Sequence, residues 1–185
     1  MIYWQGGGTK VISKPAKVVI CDEAASIQTP NNVNNLAELK KRTRAYNECL
    51  QVFVSTPTYK ENAFWREFLS GSQAYFFLRC KGCGKLTMKS CDIHNLQFES
   101  VYNEDLRLYQ VKPGTCRLIC PVCGFEHTDA DRREIISRGE YVHTFPELKE
   151  TFPTFQAGVL ASLLNVHSFE AIAAIQLTAG RTASL

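Results

Sequence analysis

Two short apolar runs rich in β-branched residues stand near the start of the chain, KVVICDE from Lys17 to Glu23 and LQVFV from Leu50 to Val54. Continuous apolar runs of this length read as buried strands, and each ends in polar residues, Asp22-Glu23 in the first and Ser55-Thr56-Pro57-Thr58 in the second. Between them Leu36 and Leu39 lie on one face of a stretch whose other positions are Lys40, Lys41, Arg42 and Arg44. This pattern predicts a helix capped by Asn34 or Asn35 and running to about Ala45. Strand, helix and strand in that order predict a parallel α/β sheet with its site at the strand ends. Phe64, Trp65, Phe68 and Leu69 recur at helical spacing and predict a packing helix over residues 61–70.

From Ala74 the pattern changes to short strands such as AYFFLRC and RLIC separated by turn residues, which predicts a small β-rich module reaching Cys123 or slightly beyond. Asp129 to Arg138 reads as a helix with Asp129 as its cap and Gly139 as its stop. Phe169, Ile172, Ala173 and Ile175 then mark a final helix that would cover one face of the core. The expected divisions are 1–73, 74–128 and 129–185.

The length of 185 residues, 45% hydrophobic and 21% charged, allows one globular domain with a real core, or one domain and a small appendage. No run approaches the roughly 18 to 20 apolar residues of a membrane span, and the first ten residues lack the pattern of a secretory signal. A cytosolic address follows, in which the eight cysteines would be reduced. The formal net charge of +3 is far from the excess that marks a free-standing nucleic-acid binder.

Reduced cysteines at regular spacing point to metal. Cys80-x-x-Cys83 and Cys120-x-x-Cys123 are each followed by glycine, Gly84 and Gly124, which lets the chain turn tightly beneath the sulfurs. Four thiolates so placed predict a zinc ribbon with a closed structural Zn²⁺, and the long separation of the two pairs implies an inserted hairpin or loop. Core cysteines or a redox pair are the alternative. Arg79, Lys81, Lys85 and Arg117 flank the pairs and would offset the thiolate charge. Cys91 and Cys116 are replacement ligands or accidental neighbours, Cys21 and Cys49 read as packing residues, and His94, His127, His143 and His167 read as surface or loop residues.

Asp22 and Glu23 at a strand end have the form of a Walker B motif. One carboxylate there can hold the Mg²⁺ of ATP and its neighbour can orient the attacking water. Hydroxyls in the second strand's turn would sense the γ-phosphate, or simply form a strand-to-helix turn. The sequence contains no G-x-x-x-x-G-K-[ST] phosphate loop; GGGTKV at residues 6–11 has the wrong order and reads as a turn.

Six ordered blocks, GGGTKVISKPAKVVICDEAA, LKKRTRA, VFVSTPT, CKGCG, ICPVCGFEHTDADRREIISRGEYV and FQAGVLASLLNVHSFEAI, resemble the large terminase subunit of lambda-type tailed phages. The resemblance implies a partial parallel-sheet, P-loop-type ATPase core followed by a zinc ribbon and C-terminal helices. It implies a motor that drives double-stranded DNA through a capsid portal, with the small terminase subunit as a further partner, in the host cytoplasm. By position it makes Asp22 and Glu23 the Walker B acid and catalytic glutamate and puts Ser55 and Thr56 in the coupling motif. Arg42 becomes a candidate phosphate or DNA contact against a simple solvated face. Such proteins also carry a Walker A motif and a nuclease domain, so the chain is expected to be a fragment, inactive alone, with an exposed sheet edge that favours self-association. A zinc-ribbon module that binds nucleic acid or protein without ATPase activity is the competing reading, and a decayed prophage remnant is a third.

Overall fold

In the computed structural model, residues 15–26, 35–56 and 62–182 are described, and the chain divides into two units, Met1–Gly71 and Ser72–Leu185. Asn34, Pro57, Thr58 and the 6–11 turn lie outside the described residues.

In the first unit, β1 (Val18–Cys21) and β2 (Leu50–Phe53) pair in parallel with Val18 opposite Leu50 and Cys21 opposite Phe53, joined across α1 (Asn35–Lys41). The expected strand, helix and strand are present. α1 is shorter than its pattern implied: the Arg42 backbone amide donates to the Leu39 carbonyl three residues back, and the Lys40 carbonyl accepts from the Thr43 hydroxyl and the Gln51 side-chain amide. Those bonds tighten and satisfy the last turn, so residues 42–45 leave the helix.

The strands also differ from expectation in burial. Val18, Ile20, Leu50 and Val54 are exposed, Ile20 at 71%. Cys21 and Ala24 pack on the opposite face with Leu36, Leu39, Phe53 and Phe64, so among the described residues the β1–β2 pair is covered on that side. Cys49, expected to pack, is exposed. α2 (Ala63–Ser70) turns Phe68 inward and leaves Leu69 exposed, and Asn62 caps it by accepting from the Phe64 amide at 2.8 Å.

The second unit is built on small antiparallel pairings. β3 (Ala74–Arg79) runs into β4 (Leu86–Lys89), and β5 (Leu96–Gln97) precedes the hairpin of β6 (Ser100–Asn103) and β7 (Leu108–Val111). This is the insertion that the cysteine spacing required. β8 (Arg117–Ile119) lies between β5 and β9 (Glu126–His127). β10 (Glu140–His143) pairs antiparallel and β11 (Phe155–Gln156) parallel with β3. α3 (Arg132–Ser137) and α4 (Phe169–Thr182) complete the unit.

The core joins Leu78 and Met88 of the first hairpin to Leu118, Ile135, Leu160, Phe169, Ile172 and Ala173. α4 covers it as expected, except that Ile175 is 64% exposed and takes no part. The start of α3 also differs. A short 3-10 turn, Asp129–Asp131, precedes the helix, and Thr128 opens that turn with its amide and hydroxyl both donating to Asp131 Oδ2, at 2.8 and 3.0 Å. Asp129 instead accepts from the Phe169 amide at 2.8 Å and so caps α4. A cap chosen by local sequence was redirected by a tertiary partner forty residues away.

Leu118 is fully buried in this core. Leu118→Ala should lower stability by about 2–5 kcal/mol, measured as a shift of the denaturant midpoint with an unchanged slope. A cost below about 1 kcal/mol would mean the core is not packed as described. Among the described residues, no helix is long and apolar enough to cross a membrane.

Candidate metal centre and strand-end site

Each cysteine pair sits at the turn of a hairpin, Cys80 and Cys83 between β3 and β4, Cys120 and Cys123 between β8 and β9. The two turns are built alike. The Cys80 amide donates to the Lys85 carbonyl and the Gly84 amide to the Cys80 carbonyl; the Cys120 amide donates to Phe125 and the Gly124 amide to Cys120, all at 2.9–3.0 Å. Gly84 and Gly124 have φ of 70° and 71°, the left-handed region where a side chain would be strained.

The four sulfurs lie within 4.8 Å of one another. Cys80 Sγ is 3.6 Å from Cys123 Sγ, and Cys83 Sγ is 4.0 Å from Cys120 Sγ. A tetrahedron with Zn–S bonds of about 2.3 Å has sulfur separations of about 3.8 Å. The donor set and its spacing therefore fit a four-coordinate thiophilic cation such as Zn²⁺. Cys91 and Cys116 are outside the cluster, which removes them as replacement ligands.

The thiols differ in acidity. Burial pushes Cys80 up to about 12. Cys120 falls to about 6 although burial opposes the thiolate, because the Thr87 hydroxyl, 3.2 Å from its sulfur, and the amides of Cys123 and Val122 favour the charged form. A bound cation would displace the remaining protons, so metal uptake releases acid. Thr87 carries no spacing signal in the sequence; only the fold brings it to the sulfur.

The flanking cations are mostly engaged elsewhere. Arg79 pairs with Glu140, Lys81 with Asp131 at 2.7 Å and Glu134 at 3.1 Å, and Arg117 with Glu126 at 3.9 Å. These pairs tie the knuckles to α3 and neighbouring strands. Lys81 and the Thr128 groups hold the Asp131 carboxyl at about 2, below its ordinary 3.8. Because the folded value is the lower one, the stabilisation is complete above pH 4 or so and drains away as pH falls toward about 2. Asp131→Asn should lower the melting temperature at neutral pH and flatten its acid decline. An unchanged acid limb in a pH series would count against this pairing.

His127 corrects another expectation. It is fully buried, with Nδ1 3.0 Å from the Leu118 carbonyl and Nε2 3.1 Å from the Lys81 amide. His94 is exposed, while His143 and His167 are half-buried.

In the first unit, the residues after β1 and β2 meet. The Val54 amide donates to Cys21 at 2.9 Å, the Ala24 amide to Val54 at 3.0 Å, and the Ala25 amide to the Ser55 hydroxyl at 3.0 Å. Asp22 and Glu23 are exposed at the tip of this turn, and Asp22 Oδ1 accepts from the Glu23 amide at 3.0 Å. Glu23 has φ of 52°, a backbone conformation uncommon for a non-glycine residue. The buried Asn62 side chain reaches the Ala25 carbonyl at 3.5 Å while capping α2, a second bracing that the sequence reading missed. Its signal was an asparagine just before an apolar helical run. Thr56 is exposed nearby, and Arg42 is half-buried just past the end of α1. The fold thus brings Asp22, Glu23, Ser55 and Thr56 to one end of one sheet.

Residues 1–141 match the family described as phage terminase large subunit gpA, ATPase domain. No curated protein and no solved structure matches the chain.

Proposed function

We propose a function from one premise: the chain belongs to the family of the phage terminase large subunit gpA ATPase domain. Membership makes it a component of a viral DNA-packaging motor in general terms. The finer reading is ours. Asp22 would hold the Mg²⁺ of ATP and Glu23 would orient and deprotonate the attacking water. Ser55 and Thr56 would couple hydrolysis to movement of double-stranded DNA into a procapsid, and Arg42 is a candidate phosphate or DNA contact. In this reading 1–73 belongs to a parallel-sheet, P-loop-type ATPase core, 74–128 is a zinc ribbon, and 129–185 carries the helix, strand and cover helix that follow.

One observation carries this reading: the Ser55 hydroxyl accepts the Ala25 amide proton at 3.0 Å. A displacement of the turn after β2 would be passed by that bond to the backbone beside the two acids. ATP-Mg²⁺ supplies the transferable phosphoryl group; the protein's part is to place a carboxylate beside the cation and a second beside water. The cysteine cluster has no open ligand position, so zinc there would be structural. Double-stranded DNA, the small terminase subunit and the capsid portal are the proposed partners, in the host cytoplasm, and self-association through a sheet edge is proposed alongside them.

The competing reading, a ribbon that binds nucleic acid without nucleotide chemistry, finds less support. Three of the four cations flanking the cysteines already face carboxylates. Mixing the purified chain with a polypeptide bearing a Walker A loop from the same family separates the two. The motor reading expects ATP hydrolysis that neither partner shows alone; a mixture that binds both DNA and zinc yet never hydrolyses ATP would refute it.

A further inference from the structure

A histidine buried beside four cysteines invites the reading of a spare ligand, but its hydrogen bonds say otherwise. The Lys81 amide can only donate, so the Nε2 lone pair of His127 is its acceptor at 3.1 Å. The Leu118 carbonyl can only accept, so Nδ1, 3.0 Å away, carries the proton. Both ring nitrogens are spent on backbone. The ring has no solvent exposure, leaving water no route to replace either partner.

Those two backbone groups belong to the two knuckles. Lys81 follows Cys80 within the first knuckle, and Leu118 stands two residues before Cys120 on the strand that enters the second. Anchoring the Lys81 amide fixes the peptide plane that leaves Cys80, whose sulfur also accepts from the Gly82 amide at 3.3 Å. Phe125 reinforces the link. Its ring lies 4.9 Å from that of His127, and it occupies the space over Gly82 so closely that a Cβ there would sit 2.7 Å from it.

We infer that His127, as the Nδ1–H tautomer, is a positioning residue of the metal centre that ties the backbone of the first knuckle to the strand feeding the second. The inference rests on the metal reading of the cysteine cluster. It makes the two knuckles meet through protein contacts, so the four sulfurs are gathered before a cation arrives and little ordering remains to be done on binding. Groups that orient ligands without touching the metal characteristically change affinity by about 10–100-fold.

The test uses the full chain. A long-range ¹H–¹⁵N spectrum of the imidazole reports the tautomer, and competition between the protein and a chromophoric chelator for Zn²⁺ reports affinity. The expected spectrum shows a protonated Nδ1 and a bare, hydrogen-bonded Nε2 with and without zinc. His127→Gln, which keeps an acceptor near the Nε2 position, should retain most of the affinity. His127→Ala and His127→Asn should hold zinc about 10–100-fold more weakly. A proton on Nε2, a zinc-induced shift showing metal on the ring, or a glutamine variant as weak as alanine would overturn the role of His127 while the metal reading stands. A wild-type chain with the expected tautomer that takes up no zinc would overturn the metal reading, and this role with it. Should the variants fail to fold, the wild-type spectrum alone still decides the tautomer.

Discussion

Elemental analysis of the purified chain should return one zinc per molecule, and Cys80→Ser or Cys120→Ser should abolish it. The sulfur spacings of 3.6 and 4.0 Å match the edges of a metal tetrahedron, about 3.8 Å for Zn–S bonds of about 2.3 Å. Small zinc modules draw an apparent 10–16 kcal/mol or so from their metal near neutral pH. This unit also has its own apolar core of Leu78, Leu118, Ile135 and Phe169, so a smaller part of its stability should depend on zinc. A strong chelator should therefore lower the melting temperature substantially without reducing the second unit to a random chain. Cys91→Ser and Cys116→Ser should leave the stoichiometry at one, because neither sulfur belongs to the cluster. Loss of zinc in the Cys116 variant, or metal-free protein as stable as the loaded form, would contradict the assignment.

The second large effect concerns the strand-end acids. Once ATP hydrolysis is reconstituted with a Walker A partner, Glu23→Gln should reduce the rate by about 10²–10⁴-fold, the usual contribution of a positioned general base. Nucleotide binding should survive, since the amide preserves shape and polarity. Asp22→Asn should instead raise the Mg²⁺ concentration needed for activity, because a neutral side chain attracts the cation less. Ser55→Ala removes the bond to the Ala25 amide and should separate ATP turnover from DNA movement more than it slows turnover. A reconstituted rate indifferent to Glu23→Gln would show that the catalytic carboxylate lies elsewhere.

Several features are legible in the sequence because short-range chemistry dictates them. The glycine after each cysteine pair permits a tight turn beneath the sulfurs, and both glycines make it with positive φ. The 36 residues between Cys83 and Cys120 had to leave and return, and the β6–β7 hairpin lies within them. The two apolar runs with a helix between them pair in parallel, as their composition implied. Burial was less legible, since β-branched residues mark a strand without saying whether both its faces are covered. Ile20 and Leu50 are exposed for that reason.

The sequence by itself determined the cysteine spacing, the acid-tipped strand and the family, each of which depends on residues close together or on their order. Tertiary structure alone decided what the side chains touch. It buried His127 between the two knuckles, moved Asp129 from the start of α3 to the cap of α4, and set Thr87 against Cys120. The physical reason is the same in each case: a hydrogen bond between residues thirty or more positions apart, as from Thr87 to Cys120 and from Phe169 to Asp129, depends on chain crossings that no local pattern encodes.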